Sequence, residues 1–487
     1  MEEEEKDEGE DDEEDKLHGR PTDRCYAAKF GTGHQVYKDY DCMLNQTNIA
    51  NNNNKYYVIQ ILTNGSSYYV WNRWGRVGED GAMRRFGPFG FDQAEKQFCK
   101  KFKDKTRNDW YDRANFKPKT GKYTLIKMQA QVKKSPAKKP AKKPVKKTTK
   151  PKVKSNLHKK VQDLIEYIYF EATGQLKKTL DCNITESGIE TPLGVLSEAQ
   201  VDKGFNSLKT AFDTFKKSGS GSALLSNKYY TEVPHKFGRQ RPPVLNSLVM
   251  FEKEFQLLEL MKDMVSISEK SKDSEEGSVL ASNDVDTQYG SLSNKIDYLA
   301  PGSDEYKEVA NEVANSIKRS HSKDCLDIVN IYSVERKEER KRWKSRKGVK
   351  TNHRMLYHGS RIANWVGLLS RGILMPKVVV NLGIHRTDGG WLGSGIYFGE
   401  ADTASYYAGK GHKKTSFMLV CNVALGKMKD YSKITYGLSE PPKGFDSCHG
   451  VKGSQFHDDE YVVYKDNQQY MAYLVELKRK GGSGYVS

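Results

Sequence analysis

Between Lys133 and Lys154 the chain carries eleven lysines and four prolines in repeated Ala-Lys-Lys-Pro units. A proline ring removes the backbone N–H that a helix or inner strand needs, and neighbouring ammonium groups repel one another. No packed element can cross such a stretch. Residues 131–154 are therefore expected to be an extended linker, and the chain must fold separately on either side of it. Glu2 to Asp15 is almost entirely Glu and Asp, with no apolar side chain to bury. Residues 1–22 are expected to be a disordered acidic tail.

Despite that tail, the 487 residues carry a net charge of +17, which favours a polyanionic partner. The linker itself reads as a nuclear address or a sequence-blind contact with nucleic acid. The seven cysteines are scattered, with no C-x-x-C pair. That pattern argues against a zinc finger or a disulfide scaffold and fits a reducing compartment. No apolar run reaches the roughly 18 residues of a membrane-spanning helix. The N-terminus also lacks the apolar core of a secretory leader. No membrane partner is expected.

The first folded region, 23–130, is β-rich. Tyr56 to Leu62 reads as a strand, Asn64-Gly65 as a turn and Tyr68 to Trp71 as the return strand. Asp92 can cap a helix over about 93–103, with Ala94, Phe98 and Phe102 on one face. Tyr123 to Ile126 is a late strand. After the linker, 155–271 follows a helical pattern: Val161, Leu164, Ile165 and Ile168 share a face, and Ser197-Glu198-Ala199-Gln200 opens another helix. Residues 271–286 are rich in Ser, Glu and Asp and read as a loop. From 285 to 482 short strand-like runs dominate, so a mainly antiparallel α+β domain is expected.

Three motifs in that last region point to chemistry. Leu356-Tyr357-His358-Gly359-Ser360 delivers a histidine into a Gly-Ser turn. Gly395-Ile396-Tyr397-Phe398 carries a tyrosine, and Glu460-Tyr461-Val462-Val463-Tyr464 a glutamate. Singly, each residue has an ordinary explanation as a turn, core or solvated group. Gly393-x-Gly395 resembles the start of a dinucleotide fingerprint. Its third glycine position is Phe398, however, and no strand–turn–helix unit surrounds it, so a Rossmann crevice is not expected.

Residues 24 to 482 resemble the small DNA-dependent poly(ADP-ribose) polymerases, which combine a WGR domain, a helical regulatory domain and an ADP-ribosyltransferase domain. The resemblance rests on Trp74-Gly75-Arg76, Thr191-Pro192-Leu193-Gly194, His358-Gly359-Ser360-Arg361, Gly395-Ile396-Tyr397-Phe398 and Glu460-Tyr461-Val462-Val463-Tyr464, in the family's order. It implies a multidomain α+β protein: a small WGR domain, an all-α regulatory bundle and a transferase domain that is not a Rossmann fold. It also implies NAD as co-substrate, no metal, and His358, Tyr397 and Glu460 as the catalytic set. The NAD-binding residues would be His358, Gly359, Ser360, Tyr397, Ser405 and Tyr407.

The chemistry fits those residue types. The nicotinamide leaving group is already cationic, so the reaction needs no strong acid, and its transition state is oxocarbenium-like. A glycine lets the nicotinamide amide approach the Gly359 backbone closely. Tyr397 offers a ring face. The Glu460 carboxylate can bind the ribose hydroxyl, stabilise developing positive charge and orient the acceptor. The chain departs from the family after Tyr397. If Tyr407 is aligned as the stacking ring, Ala404 stands where the family has a serine, leaving Ser405 to supply the hydroxyl. Leu374 stands where long-chain relatives often have arginine, and the stretch from Asp430 to Gln455 is short.

The resemblance further implies that Asn54, Trp74, Arg76 and Tyr123 contact DNA ends or nicks bearing a 5′ phosphate, with Arg76 able to bind the helical domain instead. Glu259 and Asp263 would border the NAD pocket and regulate it. The expected protein is a nuclear, DNA-break-activated poly-ADP-ribosyltransferase that modifies acceptor proteins, itself included, in DNA damage repair. The alternatives are a mono-ADP-ribosyltransferase of the same architecture and a catalytically inactive scaffold that binds DNA ends.

Overall fold

The computed structural model describes residues 22–126, 155–180, 182–185, 188–191, 194–270, 285–319, 326–346, 351–374 and 390–480. The acidic tail, the Lys/Pro linker, most of the 271–286 loop and Pro192-Leu193 lie outside the described residues. The chain divides into two compact units. One holds the described residues before the linker together with 178–183 and 189–246. The other holds 155–177, 184–188 and the residues from 247 onward.

In the first unit α1 (Arg24–Phe30) leads into β1 (Gln35–Asn48), β2 (Asn53–Thr63), β3 (Tyr68–Arg76) and β4 (Ala82–Phe89). Then come α2 (Phe91–Thr106) and β5 (Thr124–Ile126). The strands form one antiparallel sheet in the order β4-β3-β2-β1-β5. The Asn64-Gly65 turn closes the β2–β3 hairpin with Thr63 opposite Tyr68, as the strand pattern predicts. Buried Ala94, Phe98 and Phe102 join α2 to the sheet through a core with Tyr40, Ile59 and Ile61. The sequence reading missed β1. Its partners in β2 shift register between Val36 and Asp41, and this irregularity hides the two-residue alternation that marks a strand. Asp23 caps α1 by accepting from Cys25 N and also pairs with Arg73, both side chains at most 6% exposed, which ties the helix to β3.

Past the linker come α3 (Lys159–Leu180) and three short strands, β6 (Asn183–Thr185), β7 (Gly188–Thr191) and β8 (Gly194–Val195). Helices α4 (Glu198–Ser218), α5 (Ala223–Glu232) and α6 (Leu248–Lys270) follow. Ser197 caps α4 through Gln200 N, as its capping sequence predicts. Helix α5 lies against β1. Asn45 Nδ2 donates to the Thr231 carbonyl at 2.9 Å, and Ile49 N to Asn227 Oδ1 at 2.8 Å. The helical region therefore contributes to both units: α4 and α5 belong to the first, α6 and most of α3 to the second.

The second unit continues with α7 (Val285–Ser291), β9 (Lys295–Leu299), α8 (Asp304–Arg319), β10 (Leu326–Glu335) and α9 (Lys337–Ser345). It goes on through β11 (His353–Gly359), α10 (Trp365–Arg371), β12 (Ile396–Gly399), α11 (Ala401–Tyr407) and β13 (Ser416–Ala424). It ends with β14 (Met428–Tyr431), β15 (Ser447–Gly450), β16 (Glu460–Val463) and β17 (Gln469–Arg479). Nine strands form one sheet in the order β14-β15-β16-β12-β11-β13-β17-β10-β9. Only the β14–β15 pair is parallel; the other pairs are antiparallel, as expected. Val309, Val313, Ile331, Tyr357, Met418 and Val475 are buried together between α8 and the sheet. No described helix is long and apolar enough to cross a membrane.

Candidate active site

Strands β16, β12 and β11 are consecutive neighbours, which sets Glu460, Tyr397 and His358 side by side in the sheet. Tyr397 is paired with Val462, and Gly399 with Glu460. Paired residues share a face and alternate residues return to it, so Tyr397 and Glu460 are diagonal neighbours on one face, about 7–8 Å apart. Strands β11 and β12 share one paired position, Tyr357 opposite Gly399. Beyond it a side chain continues the link: His358 Nδ1 donates to the Tyr397 carbonyl at 2.9 Å. A carbonyl only accepts, so Nδ1 carries the proton, and in the neutral ring Nε2 is the accepting nitrogen.

The Tyr397 ring is pinned at its tip. Its hydroxyl donates to the Gly393 carbonyl at 2.6 Å and accepts from Leu392 N at 3.0 Å. Gly393 has φ +77°, and a Cβ there would lie 2.0 Å from the Leu438 carbonyl oxygen, so the turn requires glycine. Gly359 is equally constrained, because a Cβ would come 1.9 Å from the Ala404 carbonyl oxygen. Close ligand approach was the expected reason for glycine at 359. In the fold, the backbone of α11 makes the close approach.

Helix α11 forms the wall facing Gly359. Ser405 is buried; its hydroxyl donates to the Asp402 carbonyl at 2.7 Å and accepts from Arg479 Nη1. Arg479 also pairs with Asp402 at 2.9 Å and lies 3.8 Å from the Tyr406 ring centroid. Ser405 thus engages its hydroxyl inside the fold, whereas the sequence reading had it facing NAD. Tyr407, at the end of α11, is 40% exposed. The Ser360 hydroxyl accepts from Asn364 Nδ2 at 3.1 Å and braces the turn into α10. On α6, Asp263 pairs with Arg371 of α10 at 2.7 Å, and Glu259 adds to the negative field at that arginine.

The first unit carries an aromatic and cationic patch. Trp74 stacks on Tyr57, centroids 5.5 Å apart and planes 10° apart, and Tyr123 meets Tyr57 edge-on at 6.0 Å. Lys105 Nζ lies 4.5 Å from the Tyr57 centroid and Lys55 Nζ 5.5 Å from that of Tyr123. Burial pushes the Tyr57 and Tyr123 hydroxyls up to about 12. Burial, then the charges of Lys101 and Lys55, lowers Lys105. A phosphate would relieve that crowding of ammonium groups.

Asn54 and Arg76, also expected at the DNA, are engaged elsewhere. Asn54 is fully buried and its Nδ2 donates to the His235 carbonyl at 3.0 Å. The Arg76 guanidinium bonds the carbonyls of Gly238, Gln240 and Asn52. Asn54 lies at the start of β2 and Arg76 at the end of β3, where the 233–240 segment docks, so they hold the helical region. For Arg76 this is the second of its two expected partners.

Two features had no signal in the sequence. One is the Arg479 clamp on α11. The other is an imidazole–carboxylate cluster of His449, Asp430 and Asp459 behind Glu460. The first joins Arg479 to Ser405 across 74 residues, and the second depends on the register of β14, β15 and β16.

Three family models match the chain. The WGR domain matches 40–117, the regulatory domain of poly(ADP-ribose) polymerase 155–289 and its catalytic domain 303–455. His358 and Tyr397 fall inside the catalytic match, and Glu460 lies just past its end. The chain is 32% identical to mouse protein mono-ADP-ribosyltransferase PARP3, over 91% of this chain and 89% of that protein. It is 31% identical to human poly [ADP-ribose] polymerase 2, over 94% and 83%. It is 34% identical to human protein mono-ADP-ribosyltransferase PARP4 over 67% of this chain and 18% of that much longer protein. The ordered domains, the adjacent His, Tyr and Glu strands and this coverage make the chain a member of the poly(ADP-ribose) polymerase family, an NAD+ ADP-ribosyltransferase.

Proposed function

We propose that this enzyme is a nuclear protein poly-ADP-ribosyltransferase switched on by DNA breaks. The observation that carries the catalytic roles is the shared face of Tyr397 and Glu460 beside the proton-fixed His358. His358 Nε2 accepts from a ribose hydroxyl of NAD. The Gly359 backbone holds the nicotinamide amide, and Tyr397 with Tyr407 encloses the ring. The Glu460 carboxylate accepts from the hydroxyl of the nicotinamide ribose, offsets the positive charge that grows as the bond to nicotinamide breaks, and orients the acceptor. Every named group is a binder or an electrostatic partner, which suits a leaving group that needs no protonation.

Trp74 and Tyr123, with Lys55 and Lys105, receive the 5′ phosphate at a DNA end or nick. Asn54 and Arg76 couple that site to the helical region. Asp263, with Glu259 beside it, restrains the catalytic unit until DNA is bound. The mono-transferase reading is supported by the short 430–455 stretch and by relatives named as mono-ADP-ribosyltransferases at similar identity. An inactive scaffold would not need His358, Tyr397 and Glu460 on neighbouring strands.

One assay separates the readings: labelled NAD with and without nicked, 5′-phosphorylated duplex, resolved on a gel. A DNA-dependent smear is expected. A single sharp shifted band would favour mono-transfer, and equal labelling without DNA would end the break-activation reading. Glu460→Gln should abolish elongation, and long polymer from that variant would show that elongation does not depend on the Glu460 carboxylate.

A further inference from the structure

Behind Glu460, two carboxylates converge on one imidazole. His449 in β15 lies opposite Asp430 in β14 and opposite Tyr461 in β16. Its ring stacks on Tyr461, centroids 4.8 Å and planes 4° apart. Nδ1 is 2.9 Å from Asp430 Oδ1, and Nε2 is 2.9 Å from Asp459 Oδ1. A carboxylate only accepts, so both bonds exist together only when both ring nitrogens carry hydrogen. The imidazolium satisfies both carboxylates, whereas a neutral ring turns a lone pair onto one of them. Asp459 Oδ1 also accepts from Lys452 N at 3.0 Å. The other charged groups nearby do not compete for the ring. Arg354, from β11, bonds the Tyr461 hydroxyl at 3.2 Å, and Lys452 Nζ lies 3.7 Å from Asp458.

Asp459 immediately precedes Glu460. Successive residues of a strand point to opposite faces. Glu460 is paired with Gly399 and Gly450, while Tyr461 and His449 occupy the other face together with Asp459. Tying Asp459 down from behind sets the rotation of the chain where β16 begins, and with it the direction of the Glu460 carboxylate. The side chain of His449 is 14% exposed and that of Asp459 29%, whereas that of Asp430 is 68% exposed, so the bond that water replaces least is the one from His449 to Asp459.

We propose that His449 is a positioning residue for ADP-ribosyl transfer: it bridges Asp430 and Asp459, and through Asp459 it holds Glu460 at the reacting ribose. The proposal rests on the reading of Glu460 as the reaction's carboxylate.

The test measures nicotinamide release by the full chain with nicked, 5′-phosphorylated duplex, as a function of NAD concentration. His449→Ala should lower kcat between about tenfold and a hundredfold, the scale of a misplaced catalytic group, with KM for NAD nearly unchanged. The second variant is Asp459→Ala, which removes the acceptor of His449 Nε2. It should lower kcat on the same scale with KM again nearly unchanged, and the double variant His449→Ala/Asp459→Ala should lose no more than either single variant, because both cut one link. Unchanged kcat in His449→Ala, or losses that add in the double variant, overturns the proposal. If His449→Ala does not fold, Asp459→Ala decides alone, and wild-type kcat in it overturns the proposal. Glu460→Gln separates the two layers. If it slows release and the His449 and Asp459 variants behave as wild type, only the positioning role falls. If it leaves release unchanged, the reading of Glu460 falls too.

Discussion

Arg479, the last residue of β17, holds α11 in three ways: an ion pair with Asp402, a hydrogen bond to Ser405 and a cation–π contact with Tyr406. The Arg479 and Asp402 side chains are 9% and 2% exposed, so water does not replace either partner. A guanidinium fork can satisfy both the carboxylate and the hydroxyl; a lysine can reach only one of them with comparable geometry. Because α11 forms the wall facing Gly359, Arg479→Lys should raise KM for NAD about tenfold, roughly 1.4 kcal/mol of binding, and leave kcat within about threefold. Steady-state kinetics against NAD check this. A fall in kcat at unchanged KM would mean that α11 serves the chemical step and not nicotinamide binding.

At the scale of elements, the inner strands of the first unit's sheet serve two different uses. Helix α2, with strands β2 and β3 and the segment before β5, assembles Tyr57, Trp74 and Tyr123 under Lys55 and Lys105. Elsewhere on the same strands and on β1, α5 and the 233–240 segment dock through Asn45, Asn54 and Arg76. The sequence motif Trp74-Gly75-Arg76 therefore splits, its tryptophan on the patch and its arginine at the helical segment. Lys55→Ala and Lys105→Ala should each weaken binding of a 5′-phosphorylated nick and reduce the slope of log affinity against log salt by roughly one. A titration at several salt concentrations measures this. Arg76→Ala should leave the salt slope near wild type, since its guanidinium bonds protein carbonyls.

On the scale of the whole molecule, the helical region is the part whose organisation matters most. It contributes α4 and α5 to one unit and α6 with most of α3 to the other. A segment shared in this way can couple DNA binding to catalysis only if its contacts with the catalytic unit can yield. The Asp263–Arg371 pair is the contact to break. Removing Asp263 costs less than the roughly 3–5 kcal/mol of a fully buried pair, because the Arg371 side chain is 34% exposed and Glu259 stays in its field. Asp263→Ala should lower the melting temperature and raise NAD turnover without DNA severalfold, while DNA-stimulated turnover stays near wild type. A lower melting temperature with unchanged DNA-free turnover would leave Asp263 a stabilising residue and no restraint.

The sequence alone determined which elements could form and which residue types were present for the chemistry. The hairpin at Asn64-Gly65, the α2 face of Ala94, Phe98 and Phe102 and the Ser197 cap follow from local propensity and periodicity, which act over a few residues, and the roles of the His, Tyr and Glu motifs follow from resemblance to the family. Tertiary structure decided the rest, because strand pairing joins residues far apart in the chain. It made β16, β12 and β11 neighbours and put Tyr397 and Glu460 on one face. It turned the Ser405 hydroxyl to Arg479 and buried Asn54 against His235. It also brought Asp430 and Asp459 to the two nitrogens of His449. No spacing in the sequence encodes these contacts, since each depends on the register of strands and on which edge of a sheet a distant segment covers.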